Sequence, residues 1–169
     1  MTFKRPKRFL PWEVTRINLE ECNLFLSEPM AKLIKVNAEN LREKIETDAT
    51  NPELQRVFPQ VSFVEFDLLK EFKENSFPQV VSGHKSVLSI LASLSVGTNI
   101  LTNEGLEEVM KAVNLIRLSI GTKLNIDQNG EIHGETEESF DLEATYWILQ
   151  SFSVALLYAI SSTLANGEE

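Results

Sequence analysis

Apolar residues recur along most of this chain at the three-and-four spacing of a helix, and prolines, glycines and capping residues divide the pattern into segments. Residues 2–17 are the exception. Pro6 and Pro11 exclude a regular helix there, while Trp12, Val14 and Ile17 favour extended backbone, so the pattern predicts an extended arm or a short hairpin turning near Lys7–Pro11. Asn18, with Glu21 three residues on, reads as a capping box that opens a helix carrying Leu19, Cys22 and Leu26. Pro29 interrupts or kinks this helix, and Met30, Leu33, Ile34, Leu41 and Ile45 continue the spacing to about Glu46. Asn51-Pro52-Glu53 combines a cap, a proline at the first helical position and an acid at the positive end, which predicts a short helix stopping before Pro59. Ser62 and Glu65 cap a further helix with Phe63, Phe66 and Leu69, broken at residues 75–79.

Val80, Val87, Leu91 and Leu94 predict a helix over 79–96 that ends at Gly97. Thr102 caps the next, from about Asn103 to Leu124, and residues 125–139 form a polar, acidic loop. The last helix starts near Asp141 and fills the rest of the chain. Tyr146, Ile148, Leu149, Phe152, Leu156, Leu157, Ile160 and Leu164 place apolar groups all round it, which predicts a helix surrounded by protein. Ser151, Ala155 and Ala159 form a narrow ridge of small residues that permits close approach of a neighbour. The sum is a mainly α single domain over residues 1–169: a bundle of about six helices around a buried C-terminal helix, with a short N-terminal β element.

Composition narrows this picture. A chain of 169 residues with 43% hydrophobic content can bury a core without disulfides or metal. The single cysteine, Cys22, has no internal partner, and the basic N-terminus is followed by no apolar run of signal-peptide length, so the expected setting is cytoplasmic. The uncharged stretch from Ala144 to Gly167 exceeds the roughly 20 residues that cross a bilayer. It also contains Gln150, Ser151, Ser153, Ser161, Ser162 and Thr163, so it reads as a core helix and no membrane partner is expected. The net charge of −9 is uneven, +4 over residues 1–17 and −13 over the remainder. An acidic body repels phosphate, so no nucleic-acid partner is expected, and the basic arm reads as a solvated end.

The usual catalytic patterns fail. There is no phosphate-cradling glycine loop, CxxC, HExxH or GxSxG. Cys22 with His84 or His133 is the remaining nucleophile pair, but Cys22 lies on an apolar face, where a thiol is inert. No catalytic residue, cofactor or metal ligand is therefore assigned. Asn125-Ile126-Asp127-Gln128-Asn129-Gly130 resembles the start of a calcium loop, yet its first position lacks a carboxylate and its twelfth is Thr136. Asn129-Gly130 between Ile126 and Ile132 fits a tight two-residue hairpin turn better.

The helix over 103–124 carries the most chemistry. Val109, Val113, Ile116 and Ile120 form its buried stripe, and Arg117 projects about 40° from Val113, inside the edge of that stripe. A guanidinium keeps its proton, so it needs a carboxylate, carbonyls or an anion there, and Asp141 and Glu143 are the candidate partners. Asn114, Arg117, Gly121 and Thr122 are the candidate anion or partner contacts; Gly121 in mid-helix marks a close approach or the helix's exit.

These residues also carry a resemblance. Asn114-x-x-Arg117-Leu118-x-x-Gly121-Thr122-Lys123-Leu124 resembles the signature of an uncharacterised actinobacterial domain-of-unknown-function family called "twenty-seventeen". The basic N-terminus, the Leu54-to-Pro59 segment and Leu149-Gln150 in the last helix are similar in outline. The family has no established activity; the resemblance implies gene neighbours that include the Clp protease adaptor, and so a role near protein turnover. The expected function is thus a non-enzymatic interaction or regulatory module that binds another protein. The alternatives are a small anionic-ligand binder or enzyme with a pocket near Arg117, and a structural homodimer. Calorimetric titration with calcium is expected to give no heat at millimolar ion; a saturable heat would reinstate the metal loop.

Overall fold

In the computed structural model, which describes residues 11–58, 66–132 and 137–166, the chain forms a three-stranded antiparallel sheet and four long helices, the last two of which pack against the sheet. The order is β1 (Trp12–Arg16), β2 (Glu21–Leu26), α1 (Glu28–Thr47), a 3-10 turn (Pro52–Leu54), a short α2 (Phe66–Glu71), a π-type turn (Phe72–Ser76), α3 (Phe77–Ala92), β3 (Gly97–Thr102), α4 (Asn103–Lys123) and α5 (Glu137–Asn166). The mainly α expectation stands. The six-helix bundle does not, and two of the reasons lie in the sheet.

The first is residues 18–26, expected as a capped helix. Cys22, Leu24 and Leu26 alternate with polar or exposed neighbours, and all three are fully buried on one face of β2. Cys22 and Leu26 fit a helical spacing as well, but Leu24 fits only the strand. Asn18 still bonds two backbone amides through its Oδ1, those of Glu20 and Glu21 at 2.8 Å each. It does so as the turn of the β1–β2 hairpin and caps no helix. The expected turn at Lys7–Pro11 lies largely outside the described residues. The second reason is Gly97, which opens β3 at φ +89° instead of closing a helix; α3 has already ended at Ala92. Strand β2 is central, with Trp12 opposite Leu26 on one side and Asn99 opposite Leu24 on the other.

Elsewhere the caps fall where expected, but Pro29, expected to interrupt or kink a helix, helps to start one. Pro29 stands in the first turn of α1, behind Ser27, whose Oγ accepts from the Met30 amide at 3.3 Å. Thr102 caps α4 through the Gly105 amide at 3.0 Å. Asn51 caps the 3-10 turn through Glu53 at 2.9 Å. The Ser62–Glu65 box lies outside the described residues. Residues 75–79 do not break the chain's helical course: the π-type turn leads straight into α3, where Pro78 takes a first-turn position.

The largest correction concerns which helix is enclosed. Helix α4 buries Leu106, Val109, Ala112, Val113, Leu115, Ile116, Ser119 and Ile120, an arc of about half its circumference, between α3, α5, α1 and the sheet. Helix α5 is apolar all round but covered on one side only. Leu149, Phe152, Ser153 and Leu156 face α4 and β1, whereas Val154, Leu157 and Tyr158 are 56%, 53% and 78% exposed. Apolar character is necessary for burial and does not guarantee it. The span Asp141–Ser162 is long and apolar enough to cross a membrane by length and composition, with 22% of it buried; its inner face is nonetheless part of the domain's core.

The Phe152 ring meets Trp12 of β1 with centroids 5.3 Å apart and joins α5 to the sheet. Phe152→Ala is expected to lower stability by about 3–5 kcal/mol in urea denaturation. Tyr158→Ala on the open face should change it by about 0.5 kcal/mol or less. Equal losses at the two positions would contradict the one-sided packing of α5.

Candidate functional site

Asn114, Arg117 and Gly121 lie one turn apart on α4, and the structure brings them together in an open cleft of about 330 Å³ with Leu118, Arg56 and Tyr146. Arg117 Nη1 donates to Asn114 Oδ1 at 2.8 Å, and its Cζ stands 5.7 Å from the centre of the Tyr146 ring. Asn114 Oδ1 also accepts from Ser153 Oγ at 3.0 Å, a bond that ties α4 to α5. Arg56, on the turn after Leu54, enters from the opposite side and donates through Nη2 to the Ile126 carbonyl at 2.7 Å. Its Nη1 lies 3.3 Å from where a side chain on Gly121 would begin, so the missing Cβ makes the space that the guanidinium occupies.

The expected ion pair of Arg117 with Asp141 or Glu143 does not form. Among the described residues the ion pairs are Arg42–Glu46, Lys44–Glu53 and Lys85–Glu46, and neither Arg56 nor Arg117 has a carboxylate partner. The aromatic face of Tyr146 and the amide of Asn114 stand where a carboxylate was expected. Arg117 Nε is buried and makes no hydrogen bond. Thr122 stays out of the cleft; its Oγ1 donates back to the Leu118 carbonyl at 3.0 Å. Arg56 and Tyr146 were not singled out from the sequence, because nothing in their own segments marks them. Gly121 was the available signal: a glycine in mid-helix announces that something approaches.

A third arginine organises the far end of α5. Arg16 of β1 donates to Asn103 Oδ1 at 2.6 Å and to the Ala159 carbonyl at 3.2 Å, linking sheet, α4 and α5. Beside it an open groove of about 590 Å³ runs between β1 and the small residues Ser151, Ala155 and Ala159. The expected small-residue ridge therefore faces a groove and β1.

The remaining candidates are structural. Gly130 adopts φ +79° in a three-residue loop closed by Asp127 N–H donating to the Glu131 carbonyl at 3.0 Å, one residue longer than the expected two-residue turn. Asp127 Oδ1 accepts from the amides of Asn129 and Glu131 at 2.8 and 2.9 Å. Thr136 and His133 lie outside the described residues. His84 Nε2 lies 2.9 Å from the Val57 carbonyl, and its ring stacks on Phe58. Burial pushes the Cys22 thiol up from its ordinary value, partly offset by the charge of Arg16, which is the wrong direction for a nucleophile.

No protein-family model, curated protein or solved structure matches the chain.

A raised thiol pKa favours the folded state while the thiol is neutral. That contribution is present below the ordinary thiol pKa and is lost as pH rises through the higher folded value. Native protein at pH 8 is expected to react with a disulfide reagent at least about tenfold more slowly than the denatured chain. Equal rates would show an accessible, activated Cys22.

Proposed function

We propose that this chain is a cytoplasmic protein-interaction module that docks through the open face of α5. One observation carries the reading. Trp147, Ser151, Val154, Tyr158 and Ser161 follow each other at alternating spacings of four and three, all exposed, in a stretch from Ala144 to Asn166 that holds no charged residue. Ile148 and Leu157 flank this line and are 38% and 53% exposed. Such spacing is that of a helix–helix seam, in which large and small side chains of one helix meet those of another. Tryptophan and tyrosine are residues that anchor protein interfaces, and contiguous apolar patches above a few hundred Å² are uncommon on monomers. The implied gene neighbourhood makes the adaptor of the Clp protease a first partner to try.

Val154→Glu places a charge in the middle of the seam without touching the core. The wild-type chain is expected to retain a defined partner stoichiometrically from its native cytoplasm, and V154E, with an unchanged circular-dichroism spectrum, to lose it. Light scattering on the wild type reads the homodimer alternative as a doubled mass that V154E halves. Retention of the same proteins by both chains, with both monomeric, would sink the proposal, as would wild-type binding to lipid vesicles in place of protein.

A further inference from the structure

We propose that Arg56 and Arg117, with Asn114 and Tyr146, form a binding site for a small molecule bearing an oxyanion, a carboxylate or a phosphate. The site is separate from the α5 seam and uses none of its residues. The argument starts from charge. The chain has 25 acidic residues against 16 basic ones, so a cation has acids to spare as partners. Two guanidiniums nevertheless share one cleft with no carboxylate on either among the described residues. Like charges brought together repel, and the repulsion grows as water is excluded. A bound oxyanion removes it.

The donors are also held ready. A guanidinium is a planar fork suited to two oxygens of one anion. Each fork is fixed by a neutral acceptor, the Ile126 carbonyl for Arg56 and Asn114 Oδ1 for Arg117, which orients it and leaves its charge uncompensated. Most of the donors on both side chains remain unspent, Arg117 Nε among them, which is buried without an acceptor. Asn114 lines the same cleft. Gly121 keeps the floor open at the point where Arg56 enters, and the Tyr146 ring supplies one apolar wall for the body of a ligand. A cleft of about 330 Å³ sits at the small end of ligand pockets, which selects a compact molecule.

The test is thermal unfolding of the full chain in sodium phosphate and, separately, in sodium succinate, with ionic strength matched by sodium chloride. A saturable rise in Tm with either anion and none with chloride is expected, and which anion acts distinguishes phosphate from carboxylate. Arg56→Gln and Arg117→Gln should each weaken that binding roughly tenfold or more. Gly121→Ala displaces Arg56 Nη1 while meeting only the end of a flexible side chain and a ring edge, so it should fold and still bind more weakly. No saturable rise with either anion up to about 100 mM would overturn the proposal, as would a rise that the three variants leave unchanged. V154E should bind the anion as the wild type does, so failure of the seam and failure of this site are told apart.

Discussion

Helix α4 must be covered on three sides, and most of the architecture answers that constraint. Its buried arc, from Leu115 round to Leu106, is too wide for one neighbour, so α3 takes one flank, α5 the other, and the sheet meets its first turns. The sheet is delivered there without a linker, since Thr102 is both the last residue of β3 and the cap of α4. The β1–β2 turn is then drawn onto the same end. The Asn103 amide donates to the Glu20 carbonyl at 3.0 Å and its Nδ2 to the Leu19 carbonyl at 2.9 Å. These bonds set the start of α4, the edge of the sheet and the hairpin in one frame, and the apolar contacts fill it.

Helix α5 is held to that frame by polar points set among apolar ones. Ser153 reaches Asn114, Phe152 reaches Trp12, and Arg16 reaches the Ala159 carbonyl. The Ala159 carbonyl also accepts from Ser162 Oγ at 2.9 Å, so the guanidinium from β1 joins a local side-chain bond in gripping the helix backbone. Arg117, too, is held in part by a neutral oxygen, Oδ1 of Asn114. At Arg117 the amide side chain of Asn114 stands where an ion pair would place a carboxylate. The desolvation of a second charge is thereby avoided.

What the sequence disclosed followed the locality of the signal. The caps at Asn51 and Thr102, the extent of α4 and the helical spacing from Met30 to Ile45 depend on residues within a turn of one another, and each is legible. Strand β2 was not, because Cys22 and Leu26 suit a helix and a strand alike, and the pairing with β1 and β3 that decides the matter comes from residues far along the chain. The enclosed helix was misassigned for a related reason. Apolar composition pointed to α5, whereas enclosure depends on how many neighbours reach a helix, which no single segment records. In the cleft, Asn114, Arg117 and Gly121 share one helix face and could be read together. Arg56 and Tyr146 arrive from separate elements, and the ion pair expected at Asp141 or Glu143 assumed a geometry at the start of α5 that the fold does not adopt.

Helix α5 separates the two surfaces of interest. Tyr146 faces the cleft, while its neighbour Trp147, packed edge-on against it with centroids 5.2 Å apart, lies on the open seam. A partner on the seam could influence the cleft through this pair only if α5 had a second arrangement available, since coupling requires two states that both sites bias. Three attachments oppose one: the bond to Asn114, the Phe152 contact and the grip of Arg16 are spread over two turns of the helix on its inner side. Rotating α5 enough to move Tyr146 would break the Asn114–Ser153 bond and withdraw the ring from Arg117. Rigid attachment therefore favours two surfaces that act independently, one apolar and uncharged, the other small and cationic, on a body whose charge is otherwise negative.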